Sequence, residues 1–338
     1  MNTPTSSLET KHFPVMLKEV IKICNPKKGG NFIDCTFGGG GYSKEILRYP
    51  KTKVIALDRD KSVISRAKKI SDKFSERFSF FNERFSNVDA VINKNFSADA
   101  IIFDLGISSF QLMDLSRGFS FKSKEKIDMQ MGLSSISAEE IINSYDSDKL
   151  NLIIRLLGEE KESSRIVKNI LKARKIKKIS TVSDLVEIIE KSKKRNFKKK
   201  INVCTKTFQA LRIFVNKEIT ELIDGIVKAT KLVKYGGKII VISFHSIEDK
   251  IVKFYFSNYS RNQSRPSRYL PEEDKKNIIF FQEYKKNLLK PSLLEVKRNP
   301  SSRSAKLRFV TRDKNNFTNP IILKKKFSKY LDLESINV

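Results

Sequence analysis

From residue 32 to 41 the chain reads Phe32-Ile33-Asp34-Cys35-Thr36-Phe37-Gly38-Gly39-Gly40-Gly41, an apolar strand running straight into glycines. A helical pattern over 42–47 follows and stops before Pro50. Glycine lets the backbone turn sharply and approach a ligand with no Cβ in the way. The alternation then continues. Strands are predicted over 31–35, 53–57, 78–81 and 100–103, and Asp60 caps a helix carrying Val63, Ile64, Ala67 and Ile70 on one face. Met16, Val20 and Ile23 recur at helical spacing upstream. Short apolar runs separated by helices are what a parallel sheet covered on both faces requires. The fold class is therefore α/β, with a Rossmann-like sheet.

After Met113 the strand signals stop. Ser137 with Glu140, and Thr181 with Asp184, have the spacing of capping boxes. Between them Leu150, Ile153, Ile154 and Leu157 recur at helical spacing and end at Gly158, which suits a helix C-cap. Residues 114–205 thus read as an all-helical insertion, closed by the basic run 191–200. A long helical pattern follows through Phe208, Leu211, Val215, Ile219, Leu222 and Ile226, stopping at Gly236-Gly237 before a strand over 238–243. Ser246 with Asp249 is expected to cap the next helix. Two late runs, 278–281 and 306–311, are expected to pair antiparallel at the sheet edge. The sheet domain would then comprise 10–113 and 206–313, with 314–338 a disordered basic tail. No internal repeat is evident.

Lys and Arg number 67 against 38 Asp and Glu, a net charge of +29. So large an excess repels itself unless a polyanion shares the site, and nucleic acid is the commonest such partner. A solvated, lysine-rich surface is the plainer alternative. Cys24, Cys35 and Cys204 are far apart and form no C-x-x-C pair, so neither a zinc site nor a disulfide framework is indicated. Reduced thiols fit a cytoplasmic home. Residues 1–11 are polar, and no apolar run is long enough to span a bilayer. The expectation is a soluble protein with no metal and no membrane partner, monomer or homodimer.

Asp58 ends the second strand, about where an acid would meet a ribose diol. That much describes any Rossmann-like nucleotide site, one for NAD included. Asp34, ahead of the glycines, tips the reading towards S-adenosylmethionine, whose cationic methionine end it could hold. A pyrophosphate would want helix N-terminal amides with no carboxylate close by. Asp104-Leu105-Gly106-Ile107-Ser108-Ser109 lies at the carboxyl end of the fourth strand, the edge where open sheets bind ligands. Either acid could instead cap a strand-end turn.

With these residues the sequence resembles the bacterial 16S ribosomal RNA cytosine-N4 methyltransferase family (the MraW type). The matching blocks include His12 to Leu17, Asp34 to Ser43, Asp104 to Leu112, Arg117 to Phe121 and Asp128-Met129. Further on they include Gly158 to Glu160, Thr207 to Ile213, Val215-Asn216, Ile242 to Ser246, and Asn299-Pro300 with Arg303 to Arg308. The resemblance spans roughly residues 12 to 312. It implies a class I methyltransferase sheet interrupted by a helical substrate-recognition domain. The implied reaction is N4-methylation of a cytidine at the decoding centre of the small ribosomal subunit. Its cofactor positions fall on Gly40, Gly41, Tyr42, Asp58, Phe85, Asp104 and Gln111. The chain departs from the family pattern at Tyr42 (usually histidine), Gly39 (usually arginine), Phe110 (usually proline) and Lys206 (usually arginine). No imidazole role carries over to Tyr42.

The N4 amine of cytosine is a poor nucleophile because its lone pair is delocalised into the ring. Acceptors for its protons, and alignment with the sulfonium methyl, are what an enzyme can supply. The candidates are Asp104 with Ser108 and Ser243 with His245, a proton leaving through His245. His245 could equally be a helix N-terminal histidine satisfied by backbone, and His12 reads as structural. A flipped base needs aromatic neighbours, and Phe110, Phe119 and Phe121 are candidates unless the last two are core. Arg117, Lys206, Arg212, Arg303, Lys306 and Arg308, with Lys193, Lys194 and Arg195, could track phosphates. Two other readings remain. One is an RNA-binding assembly factor without catalysis. The other is a DNA amino-methyltransferase, although such enzymes carry an Asp- or Ser-Pro-Pro-aromatic motif at the fourth strand, absent here.

Overall fold

The computed structural model describes residues 14–93, 96–193, 202–262, 278–285 and 288–336. His12, Lys194, Arg195 and most of the basic run 191–200 lie outside the described residues. In chain order come α1 (Leu17–Cys24), β1 (Gly30–Asp34), α2 (Gly41–Leu47), β2 (Thr52–Leu57), α3 (Ile64–Lys73), β3 (Phe78–Phe81), α4 (Val88–Val91), β4 (Ala98–Asp104) and α5 (Ser109–Met113). Next are α6 (Ala138–Ser144), α7 (Ser147–Leu157), α8 (Ser163–Ile176) and α9 (Val182–Ser192). Then α10 (Thr205–Asn216), α11 (Glu218–Leu232), β5 (Val233–Ser243) and α12 (Ser246–Asn258) return the chain to the sheet. α13 (Leu293–Arg298), β6 (Lys306–Thr311), α14 (Ile321–Lys326) and α15 (Ser328–Ser335) complete it.

The six strands lie in the order β3-β2-β1-β4-β5-β6. All pairs are parallel except β5 with β6, where Ile240 faces Phe309 in an antiparallel register. This is the expected α/β class with a Rossmann-like sheet. Strand order reverses between β1 and β4, so the crevice outside their carboxyl ends is the place for a ligand.

Alternate residues of the central strands face opposite layers, as the period of a pleated strand demands. Phe32, Ala100, Ile102, Ile240 and Ile242 pack with α1, α2 and α3. Ile33, Ile101, Phe103, Ile239 and Val241 face the other side and pack with α11. Residues 114–205 carry α6 to α9 and no strand among the described residues. Their buried faces, through Ile141, Leu150, Ile153, Ile166 and Leu185, join the same apolar cluster as α10 and α11. Both expected capping boxes, Ser137 with Glu140 and Thr181 with Asp184, are formed.

Several expectations are corrected. The long helical pattern after Phe208 is two helices, because Lys217 sits at φ 50 in the left-handed region and turns the chain between them. Gly236-Gly237 does not stop that pattern. α11 ends at Leu232, and the glycines sit within β5, where the register against β4 shifts. Residues 278–281 form no strand. Phe281 makes only isolated bridges to Ser260 and Arg312, and the run is apolar because Phe280 and Phe281 fill an aromatic cluster, Phe280 stacking on Tyr259 at 5.0 Å. The expected disordered tail is instead α14 and α15, with Leu323, Phe327, Tyr330 and Leu333 buried in the main core. Lysines 324 to 326 face outward and mask that apolar face in the sequence. No helix among the described residues is long and apolar enough to cross a membrane. Cys24, Cys35 and Cys204 are buried free thiols.

Candidate active site

The glycine loop joins β1 to α2. Gly38 and Gly40 have φ 50 and 71, and a Cβ at Gly40 would lie 2.7 Å from Ile70 Cδ1 and 2.8 Å from the Phe37 ring. Only glycine fits both demands. The end of β2 ties the loop down. Asp58 Oδ2 accepts from the Gly38 amide at 2.7 Å, and Oδ1 from the Asp60 amide at 2.9 Å. Burial pushes the Asp58 carboxyl up to about 6 against those two hydrogen bonds.

Asp34 is fully buried and turned towards α2, where Oδ2 accepts from Ser43 Oγ at 2.7 Å. Burial raises its carboxyl to about 6, with Ser43 and the Thr36 amide opposing. It does not line the cleft beside the loop. Its position under α2 makes it a support for the loop rather than a contact for the methionine end expected from the sequence.

At the end of β4 the Asp104 amide donates to Thr36 Oγ1 at 2.7 Å, and Asp104 Oδ2 shares the single proton of the Tyr42 hydroxyl, 3.2 Å away. Oδ1 is buried with no hydrogen-bond partner. Burial pushes this carboxyl up to about 8; the Tyr42 hydrogen bond opposes it, while Asp34, Glu248 and Glu295 add like charge. The shorter contact of that hydroxyl is to Val15 O, 2.5 Å away. Tyr42 thus ties the N-terminal segment to the end of β4.

Ser108 caps α5, accepting from the Gln111 amide at 3.2 Å, while Gln111 Oε1 accepts from the Ser108 amide at 2.9 Å. Gln111 Nε2 donates to Asp60 Oδ2 at 2.7 Å. The Arg117 guanidinium pairs with the same Asp60 and donates to Gln130 O at 2.7 Å. Burial pushes Asp60 up, but Arg117, the Ser62 amide and Gln111 outweigh it and hold the carboxyl below its usual range.

Acids from α11 and α12 complete the cleft. Arg212 grips Glu218 in a two-point pair at 2.8 and 2.9 Å. Glu221 accepts from Arg84 at 3.3 Å, and its Oε2 is buried without a partner. Phe85 stands edge-on to Phe103 with ring centroids 5.4 Å apart. The expected Ser246–Asp249 cap is displaced by one residue. His245 has extended backbone (φ −130, ψ 166) and caps α12 itself, its Nδ1 accepting from the Glu248 amide while Glu248 reaches back. Asp249 is left to pair with Lys306 at 3.0 Å and Arg308 at 2.7 Å. His245 Nε2 lies 3.1 Å from Glu248 Oε1. Burial pushes Glu248 up, but His245 and Arg212 outweigh it and hold the carboxylate low.

The cleft has a volume of about 240 Å³. Of the residues expected to bind cofactor, Gly41, Tyr42, Asp58, Phe85, Asp104 and Gln111 line it. So do Ser108 and Arg212, whereas Asp34, Gly40, His245 and Arg117 stand off its wall. Lys206 and Arg303 are exposed and are not part of its lining, Lys206 Nζ donating to Glu159 O at 2.7 Å. Phe119 is buried and Phe121 packs edge-on to Phe208 at 6.1 Å, so both are core. Phe110 lies under Arg66, whose Cζ is 3.8 Å from the ring centroid. Glu218, Glu221 and Glu248 line the cleft and are not among the residues expected there from the sequence. The first two lie inside the pattern read as one helix. Glu248 stands three after His245, a capping-box spacing that was legible.

Buried acceptors are normally satisfied. Two unpaired carboxylate oxygens on cleft-lining residues, Asp104 Oδ1 and Glu221 Oε2, suit a ligand bringing N–H donors and positive charge. S-adenosylmethionine, with an ammonium, a sulfonium and an adenine amine, is such a ligand.

The MraW methylase family model matches residues 9–313. The ribosomal RNA small subunit methyltransferase H of Ehrlichia canis (strain Jake) is 41% identical over 302 residues, covering 88% of this chain and 99% of that protein. The proteins of the same description from Bartonella bacilliformis and Rickettsia typhi are each 41% identical, covering 89% and 88% of this chain and 90% and 97% of theirs. Glycine loop, strand-end acids and a match across nine-tenths of the chain agree: the protein belongs to the MraW methylase family, and S-adenosylmethionine is its cofactor.

Proposed function

We propose that the protein methylates the exocyclic N4 of a cytidine in 16S ribosomal RNA, near the decoding centre of the small subunit. The names of its relatives support the RNA, and the family resemblance supports the nucleotide position. The observation that carries the reading is the unpaired, buried Asp104 Oδ1 on a cleft-lining residue at the end of β4. An acceptor so placed calls for an N–H donor, and the cytosine amine has one to offer.

When bound, S-adenosylmethionine supplies an electrophilic methyl on its sulfonium sulfur. Asp58 would hold the ribose hydroxyls, Phe85 would pack on the adenine, and Gly41 and Tyr42 would border the methionine end. Asp104 accepts an amine proton, drawing the nitrogen lone pair out of conjugation with the ring. In its carboxylate form, which the positive charge of a bound sulfonium favours against the burial that raises its pKa, Asp104 can also take up the proton the amine sheds after transfer. Ser108 positions α5 and Gln111, and His245 holds Glu248. Both roles are indirect. Leu112, on the cleft wall, and the neighbouring exposed Met113 and Leu115 offer an apolar lip for an unstacked base. Lys206 and Arg303 would meet phosphates.

The test is a methylation assay on small-subunit particles from a strain lacking the gene, with nucleosides identified by mass spectrometry. N4-methylcytidine is the expected product. Methyl on adenosine, or on a cytosine ring carbon, would sink the reading.

A further inference from the structure

The family match stops at residue 313, yet the chain beyond it reaches back to the cleft. α11 begins at Glu218 with no side-chain cap of its own, since Lys217 stands at its N-terminus in the left-handed region. The cap comes from α15. Glu334 is 1% exposed, and its Oε1 accepts from the Ile219 amide at 3.0 Å. Its Oε2 accepts from the Thr220 amide at 2.7 Å and from Thr220 Oγ1 at 2.6 Å. A carboxylate on otherwise unsatisfied N-terminal amides also meets the positive end of the helix dipole. The first turn of α11 carries Glu218 and Glu221, both on the cleft wall. The segment is anchored independently. Leu323, Phe327, Tyr330 and Leu333 are buried, Phe327 stands edge-on to Phe254 at 5.5 Å, and Lys324 pairs with Asp224 at 2.9 Å.

We infer that Glu334 is a positioning residue for the cleft: from outside the family match it clamps the start of α11 and so fixes Glu218 and Glu221 where they face the ligand. The inference rests on the cleft being the S-adenosylmethionine site. Glu218 is already gripped by Arg212 from α10, so the clamp and that pair hold the helix start from two sides. Without the clamp, the Ile219 and Thr220 amides compete for other acceptors and the first turn frays.

The experiment compares wild type, Glu334→Ala and Glu334→Gln in the full chain. Binding of S-adenosylhomocysteine is measured by calorimetry at 20 °C, alongside thermal unfolding. The expected result is an affinity loss of roughly tenfold for Glu334→Ala, the size of one lost hydrogen-bond group. Glu334→Gln, which keeps one acceptor oxygen, should fall between that variant and wild type. A variant that unfolds at lower temperature but binds with wild-type affinity at 20 °C shows a merely stabilising role and overturns the inference. Should Glu334→Ala not fold, Glu334→Gln decides by the same two measurements. Wild type failing to bind S-adenosylhomocysteine would instead overturn the cleft assignment.

Discussion

Gln111 Nε2 donates to Asp60 Oδ2 at 2.7 Å, joining the helix after β4 to the loop after β2. The two strand ends that border the cofactor cleft are thus coupled through one amide, which also closes the Ser108 capping box. Gln111→Ala removes both contacts and leaves the buried Asp60 carboxylate with less support. Losing a hydrogen bond to a charged, buried group costs about 1–3 kcal/mol. A drop in the denaturation midpoint of that size, with weaker S-adenosylhomocysteine binding by calorimetry, is expected. Gln111→Glu should be worse than Ala, because it sets a second carboxylate against Asp60.

Arg117 reads in the sequence as a phosphate contact, but its guanidinium is spent on Asp60 and Gln130 O. Arg117→Ala should therefore lower stability and leave the salt dependence of RNA binding unchanged. Lys206→Ala and Arg303→Ala should leave stability alone and each flatten log K against log salt by about one. Filter binding across a salt series separates the two groups. An unchanged slope for both Lys206→Ala and Arg303→Ala would remove them from the RNA interface.

The sheet was legible because parallel strands buried on both faces read as short continuous apolar runs, those beside the cleft bounded by a glycine or an acid. Asp58 and Asp104 were legible for the same reason, since strand ends fix where their side chains can go. The pairing of Arg212 with Glu218 was not. The two face each other across the turn at Lys217, and nothing in a helical periodicity announces a left-handed residue in its middle. His245 makes a cap, the alternative its sequence position also left open, one residue ahead of the Ser246 that capping statistics favour. α14 and α15 escaped because three consecutive lysines outweigh the few apolar residues that anchor them.

Gly40→Ala tests whether the loop is glycine for conformation rather than for ligand contact alone. Its φ of 71 and the 2.7 Å approach to Ile70 Cδ1 penalise any side chain. The left-handed conformation alone costs about 1–2 kcal/mol for a non-glycine residue, and crowding adds to it. Loss of stability together with loss of cofactor affinity is expected. Gly236→Ala is the control, with φ 77 but nothing within 4 Å, and should lower stability without touching affinity.

Asp104 gives the sharpest pH prediction. Its carboxyl is raised from the usual 3.8 to about 8 when folded, chiefly by burial, so the folded chain keeps a proton that the unfolded chain has already lost. The folded state binds more protons between those limits, and its stability must fall as pH rises through that window, by up to about 1.4 kcal/mol per unit. Asp34 and Asp58, raised to about 6, act in the same direction over the lower part. Asp104→Asn removes the largest contribution while keeping an acceptor for Tyr42. The variant should gain stability over wild type progressively from pH 5 to 8, with the gain level above that, while turnover is lost. Thermal unfolding of both proteins across the series is the measurement. A stability difference that does not change with pH would mean that Asp104 titrates near its ordinary value, and its proposed part in accepting the amine proton would fall with it.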